Sequence, residues 1–139
     1  MARKKRISVI NDYPPFLEMI TEALDAEGYE VQPIPKHQGA FDQMKAWRPD
    51  LIVLDLVLGN ATIGWGLLDQ IKLDPEMEKI PILLCSAATK EIREIAPSLM
   101  AKGVDYLEKP FELDIFLQKV ARLIKDPKPS AAAKKEERG

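Results

Sequence analysis

The sequence of 139 residues contains one cysteine and one histidine, and this scarcity excludes two kinds of site. Cys85 has no partner for an internal disulfide, and one cysteine with one histidine cannot supply the four ligands of a structural zinc site. The sequence also lacks a large excess of either sign of charge, because it has 20 basic and 22 acidic residues. This balance argues against a dedicated nucleic-acid-binding protein, which normally has a basic excess.

Long hydrophobic runs are missing as well. No apolar stretch approaches the roughly 18–20 residues that a membrane-spanning helix needs. The charged start is followed by only four β-rich residues, Ile7 to Ile10, and not by the apolar segment of a signal peptide. We therefore expect a soluble cytoplasmic protein with no membrane partner. The length suits one domain, which can bury a substantial core without disulfides.

Both ends of the sequence differ in composition from its middle. Residues 126–139 read DPKPSAAAKKEERG and contain no apolar side chain larger than alanine. We predict a disordered tail there and a folded domain over residues 5–125. The four basic residues from Arg3 to Arg6 could contact nucleic acid, but a solvated terminus is the simpler interpretation. No nucleic-acid partner is predicted.

Short β-rich runs alternate with helical patterns between these ends. The first helical pattern has apolar residues at i, i+3, i+4, i+7 and i+8 from Phe16, with Pro14 suited to its start and Gly28 to its end. Five such βα units require a parallel sheet, because helical crossovers join strands that run in the same direction. The predicted strands are Ile7–Ile10, Tyr29–Ile34, Leu51–Leu54, Ile82–Cys85 and Val104–Leu107.

Polar side chains follow four of the five predicted strands. Asn11 and Asp12 follow the first strand, Asp55 the third, Ser86 the fourth and Lys109 the fifth. The carboxyl ends of parallel strands meet at one edge of the sheet, where ligands of such folds bind. Two carboxylates and an amide suit Mg²⁺. A lysine and a hydroxyl beside them suit a phosphoryl group, whose oxygens need charge neutralised on several sides.

In this order and spacing, these residues resemble the receiver domain of bacterial two-component response regulators, the CheY-like superfamily. The segments Gly64–Leu68 (GWGLL) and Gly103–Phe111 (GVDYLEKPF) strengthen the resemblance, which covers about residues 5–125. It implies an α/β fold of the flavodoxin-like (βα)5 type. The expected sheet is doubly wound, with five parallel strands in the order 2-1-3-4-5.

The resemblance also implies roles for individual residues. Asp55 would accept the phosphoryl group, with Ser86 and Lys109 as its catalytic partners. Lys109 would pair with Asp55 at rest and with the phosphoryl group afterwards, while Ser86 would hydrogen-bond a phosphoryl oxygen. Tyr106 would act as an aromatic switch that follows Ser86. The peptide bond before Pro110 would be cis, a form found almost only before proline.

Mg²⁺ is the cofactor that the resemblance implies. Asp12 and Asp55 would bind it directly, together with the backbone carbonyl of Val57. Asn11 stands where the family usually has an acid that holds the metal through water. Because one negative charge is lost there, we expect a functional but weaker metal site.

Three further features depart from the family pattern. The loop after the phosphoacceptor has Gly59 in place of a proline and is one residue longer. Val57 and Ala88 carry no polar group that could orient an attacking water, so we expect slow self-dephosphorylation. Pro97 lies inside the fourth helical pattern. It predicts a kink, or a split into a turn near Thr89–Ile95 and a short helix beginning near Pro97.

The resulting prediction is a single-domain response regulator that accepts a phosphoryl group from a sensor histidine kinase or a histidine phosphotransfer protein. A tail of 14 residues leaves no room for an output domain, so we expect a downstream protein target, with a homodimer as one outcome of phosphorylation. No enzymatic activity is expected beyond its own phosphorylation and slow dephosphorylation.

Two alternatives to this function stay open. A non-phosphorylated pseudo-receiver, acting as an interaction module, is favoured by Asn11 and the altered loop. The retention of four site residues opposes it: Asp12, Asp55, Ser86 and Lys109. A flavin or nucleotide binder of the same architecture would need a phosphate-binding loop, and the sequence has neither a P-loop nor a dinucleotide fingerprint.

Overall fold

In the computed structural model of the protein, five parallel strands form one sheet in the order β2-β1-β3-β4-β5. The structure describes residues 4–55, 61–87 and 90–125, and no helix in these ranges is long and apolar enough to cross a membrane. The predicted tail (126–139), Val57, Gly59 and Ala88 lie outside the described residues. The elements are β1 (Arg6–Ile10), α1 (Pro14–Ala26), β2 (Glu30–Ile34), α2 (Ala40–Trp47), β3 (Leu51–Asp55), α3 (Ala61–Leu73), β4 (Ile82–Ala87), α4 (Lys90–Ala101), β5 (Val104–Lys109) and α5 (Leu113–Lys125).

This architecture confirms the predicted doubly wound α/β fold and its strand order. Strand pairing extends beyond the apolar runs at the carboxyl ends of β3, β4 and β5, because the backbone hydrogen bonds of a sheet do not depend on side-chain polarity. Asp55 and Lys109 are therefore the last residues of β3 and β5, and Ser86 lies within β4. The polar residues of the site are thus held by the sheet itself.

The sheet separates two hydrophobic cores. Successive residues of β3 point to opposite faces, with Leu54 in one core and Val53 in the other, which explains why the strand is apolar up to Asp55. Helices α2, α3 and α4 cover the first core, and α1 and α5 cover the second. The helix residues buried in the second core are Leu17, Ile20, Leu24, Phe116, Val120 and Ile124.

Cys85 lies in the second core and is buried, as predicted. Burial raises the pKa of its thiol to about 12, because the thiolate would lose its hydration. The thiol therefore stays protonated at neutral pH and is a poor nucleophile.

Helix α1 begins and ends where the sequence predicts. Pro14 is its first residue, where a missing backbone N–H costs nothing. Its last residue is Ala26, and Gly28 follows with a φ of +95°, a value that L-residues other than glycine rarely adopt. The Gly28 N–H donates to the Asp25 carbonyl at 3.0 Å and so satisfies one of the last carbonyls of the helix.

Replacing Gly28 with alanine is expected to lower the free energy of unfolding by about 1–2 kcal/mol, the cost of a left-handed backbone for an L-residue. An added Cβ at Gly28 meets nothing within 4 Å among the described residues, so backbone strain alone would cause the loss. Gly66→Ala in α3 is the matched control, because Gly66 is exposed, has no positive φ and has similar space. That change should be neutral or stabilising by up to about 1 kcal/mol. Denaturant unfolding measures both values, and equal losses would contradict the prediction.

Helix α4 runs without a break from Lys90 to Ala101, with Pro97 inside it. The predicted split into a turn and a shorter helix is therefore wrong. Pro97 cannot donate to the carbonyl of Arg93, but both residues are exposed, so water can hydrogen-bond that carbonyl. On the opposite side of the helix, Ala96 and Leu99 are buried, and their packing offsets the cost of the proline.

Candidate functional site

Three of the polar residues predicted from the strand ends, Asn11, Asp55 and Lys109, are in contact at the carboxyl edge of the sheet. Asn11 follows β1 directly, Asp55 ends β3 and Lys109 ends β5. Ser86 lies in β4, the strand between β3 and β5. It is one residue beyond Cys85, which pairs with Asp55 in the register of β3 and β4. The parallel register therefore brings together side chains that are far apart in the sequence.

Asp55 is the centre of this cluster. Its side chain is only 8% exposed, and its Oδ2 accepts hydrogen bonds from Lys109 Nζ at 2.7 Å and from Asn11 Nδ2 at 2.9 Å. A buried carboxylate is costly unless it is paired and hydrogen-bonded, and these two donors meet that requirement. The structure therefore contains the resting ion pair between Lys109 and Asp55 that the family resemblance implies.

The amide of Asn11 is fixed at both of its ends. Asn11 is 2% exposed; its Oδ1 accepts a hydrogen bond from the backbone N–H of Tyr13 at 2.8 Å, and its Nδ2 donates to Asp55. A flipped amide would place its oxygen against the carboxylate and would leave the Tyr13 N–H facing an N–H group. Asn11 therefore presents a donor to Asp55, and its predicted place at the metal site stays a prediction.

The donor set of the site fits Mg²⁺ through two carboxylates. Within residues 4–55, 61–87 and 90–125, no group of three or more histidine, cysteine, aspartate or glutamate residues could hold a metal ion. Asp12, which is exposed, and Asp55 offer hard oxygen ligands. Mg²⁺ needs only one or two carboxylates, because it keeps several waters and binds phosphate oxygens. Asp12 and Asp55 would therefore hold the ion, and the predicted carbonyl ligand at Val57 lies outside the described residues.

Three further predicted residues lie near this edge. Ser86 is buried. Tyr106 of β5 is partly buried and packs against the core beneath α2, α3 and α4. The peptide bond between Lys109 and Pro110 is cis, as the resemblance implies. The catalytic role of the Ser86 hydroxyl and the switch role of Tyr106 stay predictions.

An exposed ion pair links α4 to β5 beside Tyr106. Arg93 donates from Nε and Nη2 to the two carboxylate oxygens of Glu108, at 2.8 and 3.1 Å. This contact lowers the pKa of Glu108 and raises the pKa of Arg93, because the hydrogen bonds between them, and then their opposite charges, favour the ionised forms. Exposed pairs of this kind contribute little to stability, so the pair chiefly orients the two side chains.

Phe16 is part of the site, although the sequence suggested only a place in the apolar face of α1. The Lys109 Nζ lies 4.8 Å from the centroid of the Phe16 ring, within the range of a cation–π interaction. One signal could have revealed this contact. Phe16 stands in the first turn of the helix that follows β1, at the same edge of the sheet as Lys109.

The fold and the site together define a class of protein. It is a doubly wound parallel α/β domain that carries a buried aspartate, paired with a lysine, at the carboxyl edge of its sheet. Residues 7–121 match the family model of the response regulator receiver domain. The chain therefore belongs to the response regulator receiver domain family of two-component signalling.

Curated relatives of the chain are response regulators. The phosphate regulon transcriptional regulatory protein PhoB of Pseudomonas aeruginosa is 36% identical over 107 residues, which cover 77% of this chain and 46% of that protein. The DNA-binding dual master transcriptional regulator RpaA of Synechocystis is 31% identical over 136 residues, which cover 94% of this chain and 54% of that protein. The chain thus spans about half the length of these relatives.

Solved structures show the same fold. The receiver domain of NtrX from Brucella abortus matches with a TM-score of 0.72 and 27% identity, and the match covers 86% of this chain and 98% of that one. The chemotaxis response regulator CheY4 of Vibrio cholerae matches with a TM-score of 0.75 over 86% of this chain and 98% of that one. At 21% identity, the second match supports the fold alone.

Proposed function

We propose that the protein acts as a single-domain response regulator in the cytoplasm and accepts a phosphoryl group on Asp55 in a Mg²⁺-dependent reaction. The donor is a sensor histidine kinase or a histidine phosphotransfer protein, and the output is contact with a downstream protein. The observation that carries the proposal is the buried Asp55 carboxylate with the Lys109 ammonium at 2.7 Å. A carboxylate held beside a fixed cation is suited to bind and attack an anionic phosphoryl group.

The chemistry proposed for these residues is a single displacement at phosphorus. An Asp55 oxygen forms a bond to phosphorus while the bond from phosphorus to the donor breaks, and the leaving group keeps that electron pair. Lys109 then pairs with a phosphoryl oxygen, and Ser86 donates its hydroxyl to another. Asn11 holds the carboxylate in place. When bound, Mg²⁺ would neutralise negative charge on the phosphoryl oxygens.

The register between β4 and β5 relates Ser86 to the surface that we propose for signalling. In this register Ser86 pairs with Glu108 of the adjacent strand, and Tyr106 lies two residues before Glu108. Movement of Ser86 toward a phosphoryl group would change the space that the partly buried Tyr106 ring occupies. The downstream target would read this change on the surface of α4 and β5.

Phosphorylation by a small donor tests the proposal directly. Incubation with acetyl phosphate and Mg²⁺ should add one phosphoryl group, detected by intact mass. Asp55→Asn should abolish the addition, whereas Asp69→Asn, which changes an exposed carboxylate of α3, should leave it unchanged. After removal of the donor, the phosphoryl group on Asp55 should be hydrolysed slowly. No added mass with either acetyl phosphate or phosphoramidate at saturating Mg²⁺ would contradict the proposal.

A non-phosphorylated interaction module is the second candidate function. The observation in its favour is the hydrogen bond of 2.9 Å that Asn11 Nδ2 donates to the buried Asp55 carboxylate. In such a module, Asn11 and Lys109 would serve only to stabilise a buried charge. Failure of labelling with both donors would support this candidate.

A further inference from the structure

An apolar groove lies beside Lys109 at the same edge of the sheet. Its volume is about 530 Å³, which is typical of sites for small molecules. Lys109 supplies the one cation among the six lining residues. The lining residues are Phe16, Met19, Lys109, Pro110, Phe111 and Leu113.

Two aromatic rings that line this groove pack against each other and against the core. The Phe111 ring stacks on Phe116, with centroids 5.7 Å apart and planes at 17°, and it meets Phe16 edge-on at 6.0 Å. Phe116 is fully buried, so the stack is anchored in the core. Met19 of α1 and Leu113 of α5 are 44% and 37% exposed and add apolar surface. Because the rings are already ordered, a ligand would cause little loss of conformational entropy.

Lys109 connects the groove to the phosphoacceptor. Its Nζ contacts the Asp55 carboxylate at 2.7 Å and faces the Phe16 ring at 4.8 Å. A molecule whose anionic group binds at Lys109 therefore has its remaining atoms beside the apolar lining. Charge complementarity selects an anion, and the lining selects an apolar group attached to it.

We infer that the groove binds the acyl group of a phosphodonor, so that the domain reacts faster with long-chain acyl phosphates than with acetyl phosphate. This inference rests on the proposed phosphorylation of Asp55. An Asp55 oxygen forms a bond to phosphorus, the bond from phosphorus to the acyl oxygen breaks, and the acyl carboxylate leaves with the electron pair. No proton, oxidant or further reactant is needed.

Rate constants for a series of donors test the inference. Acetyl, butanoyl and hexanoyl phosphate release aliphatic carboxylates of similar acidity, so chain length isolates the contact with the groove. Phosphorylation is followed by intact mass at a fixed concentration of Mg²⁺ and at donor concentrations that limit the rate. Hexanoyl phosphate should react about 10-fold faster than acetyl phosphate, as expected for half-burial of four additional methylene groups.

Variants of the groove locate the contact. Met19→Ser and Leu113→Ser should each reduce the advantage of hexanoyl phosphate to about threefold or less, since each removes apolar surface. The readout is the ratio of the hexanoyl phosphate rate to the acetyl phosphate rate in each variant, because a general loss of activity would lower both rates together. Met100→Ser is the matched control. Met100 is 56% exposed on α4, on the opposite face of the sheet, and its loss should leave the advantage intact.

The outcomes separate this inference from the proposed function. Equal rates for all three donors would overturn the inference, while labelling of Asp55 by acetyl phosphate would still support phosphorylation. An advantage of hexanoyl phosphate that persists in both groove variants would place the acyl contact elsewhere and would also overturn the inference. No labelling by any donor would overturn the proposed function and the inference with it.

Discussion

Asn11→Asp is expected to raise the affinity of the site for Mg²⁺ at least tenfold. The substitution adds one negative charge next to the two carboxylates, Asp12 and Asp55, that would hold the ion. At roughly 5 Å from a divalent ion, such a charge contributes about 2 kcal/mol at the dielectric constant of water and about 6–7 kcal/mol at an effective value of 20. Asn11 is 2% exposed, but Asp12 is open to solvent, so the lower value governs the estimate.

Without Mg²⁺, Asn11→Asp should lower the stability of the fold. Asn11→Asp removes the hydrogen bond from Nδ2 to Asp55 and places two carboxylates side by side, so its stability without Mg²⁺ should fall. Calorimetric titration measures the affinity for Mg²⁺. Thermal unfolding with and without Mg²⁺ measures how far the bound metal restores the stability of the variant. Asn11→Ala is the matched control, because it removes the same hydrogen bond without adding charge. Equal affinities for both variants would show that the added charge is not the cause.

Phe116→Ala is expected to lower the free energy of unfolding by about 3–5 kcal/mol, a large part of the stability of a domain of this size. The Phe116 side chain is fully buried in the core beneath α1 and α5 and stacks on Phe111. Its truncation would remove buried apolar surface and leave a cavity that the surrounding β-sheet and helices cannot close.

Denaturant unfolding measures this loss as a lower midpoint at an unchanged slope. Ile115→Ala is the matched control on the same helix, because Ile115 is exposed and its loss should cost less than about 1 kcal/mol. A loss below about 1 kcal/mol for Phe116→Ala would contradict the packing described above.

Much of the fold could be predicted from local patterns. Apolar periodicity predicted α1, and the proline at its start and the glycine after its end indicated its bounds, since both residues act through their own backbone dihedral angles. The apolar run of β3 predicted a strand buried on both faces. The predicted split at Pro97 was wrong for a related reason, because a local rule gives the cost of a proline in a helix but not the packing of Ala96 and Leu99 that offsets it.

The candidate site was predicted in its members but not in its contacts. Asp55, Ser86 and Lys109 were expected at one edge because parallel strands bring their carboxyl ends together. The orientation of the Asn11 amide depends on the Tyr13 N–H and the Asp55 carboxylate, which the sequence does not place around it.

The sequence by itself determined the alternation of strands and helices, the parallel sheet and the residue types at its carboxyl edge, because each follows from local periodicity and chain connectivity. Only the tertiary structure decided which atoms meet there. It placed two donors on one oxygen of Asp55, the Phe16 ring under Lys109 and an apolar groove beside them. These contacts join the residue after β1 with β3 and β5, and they join β5 with α1 and α5. Side-chain packing between distant segments has no signature in the local sequence.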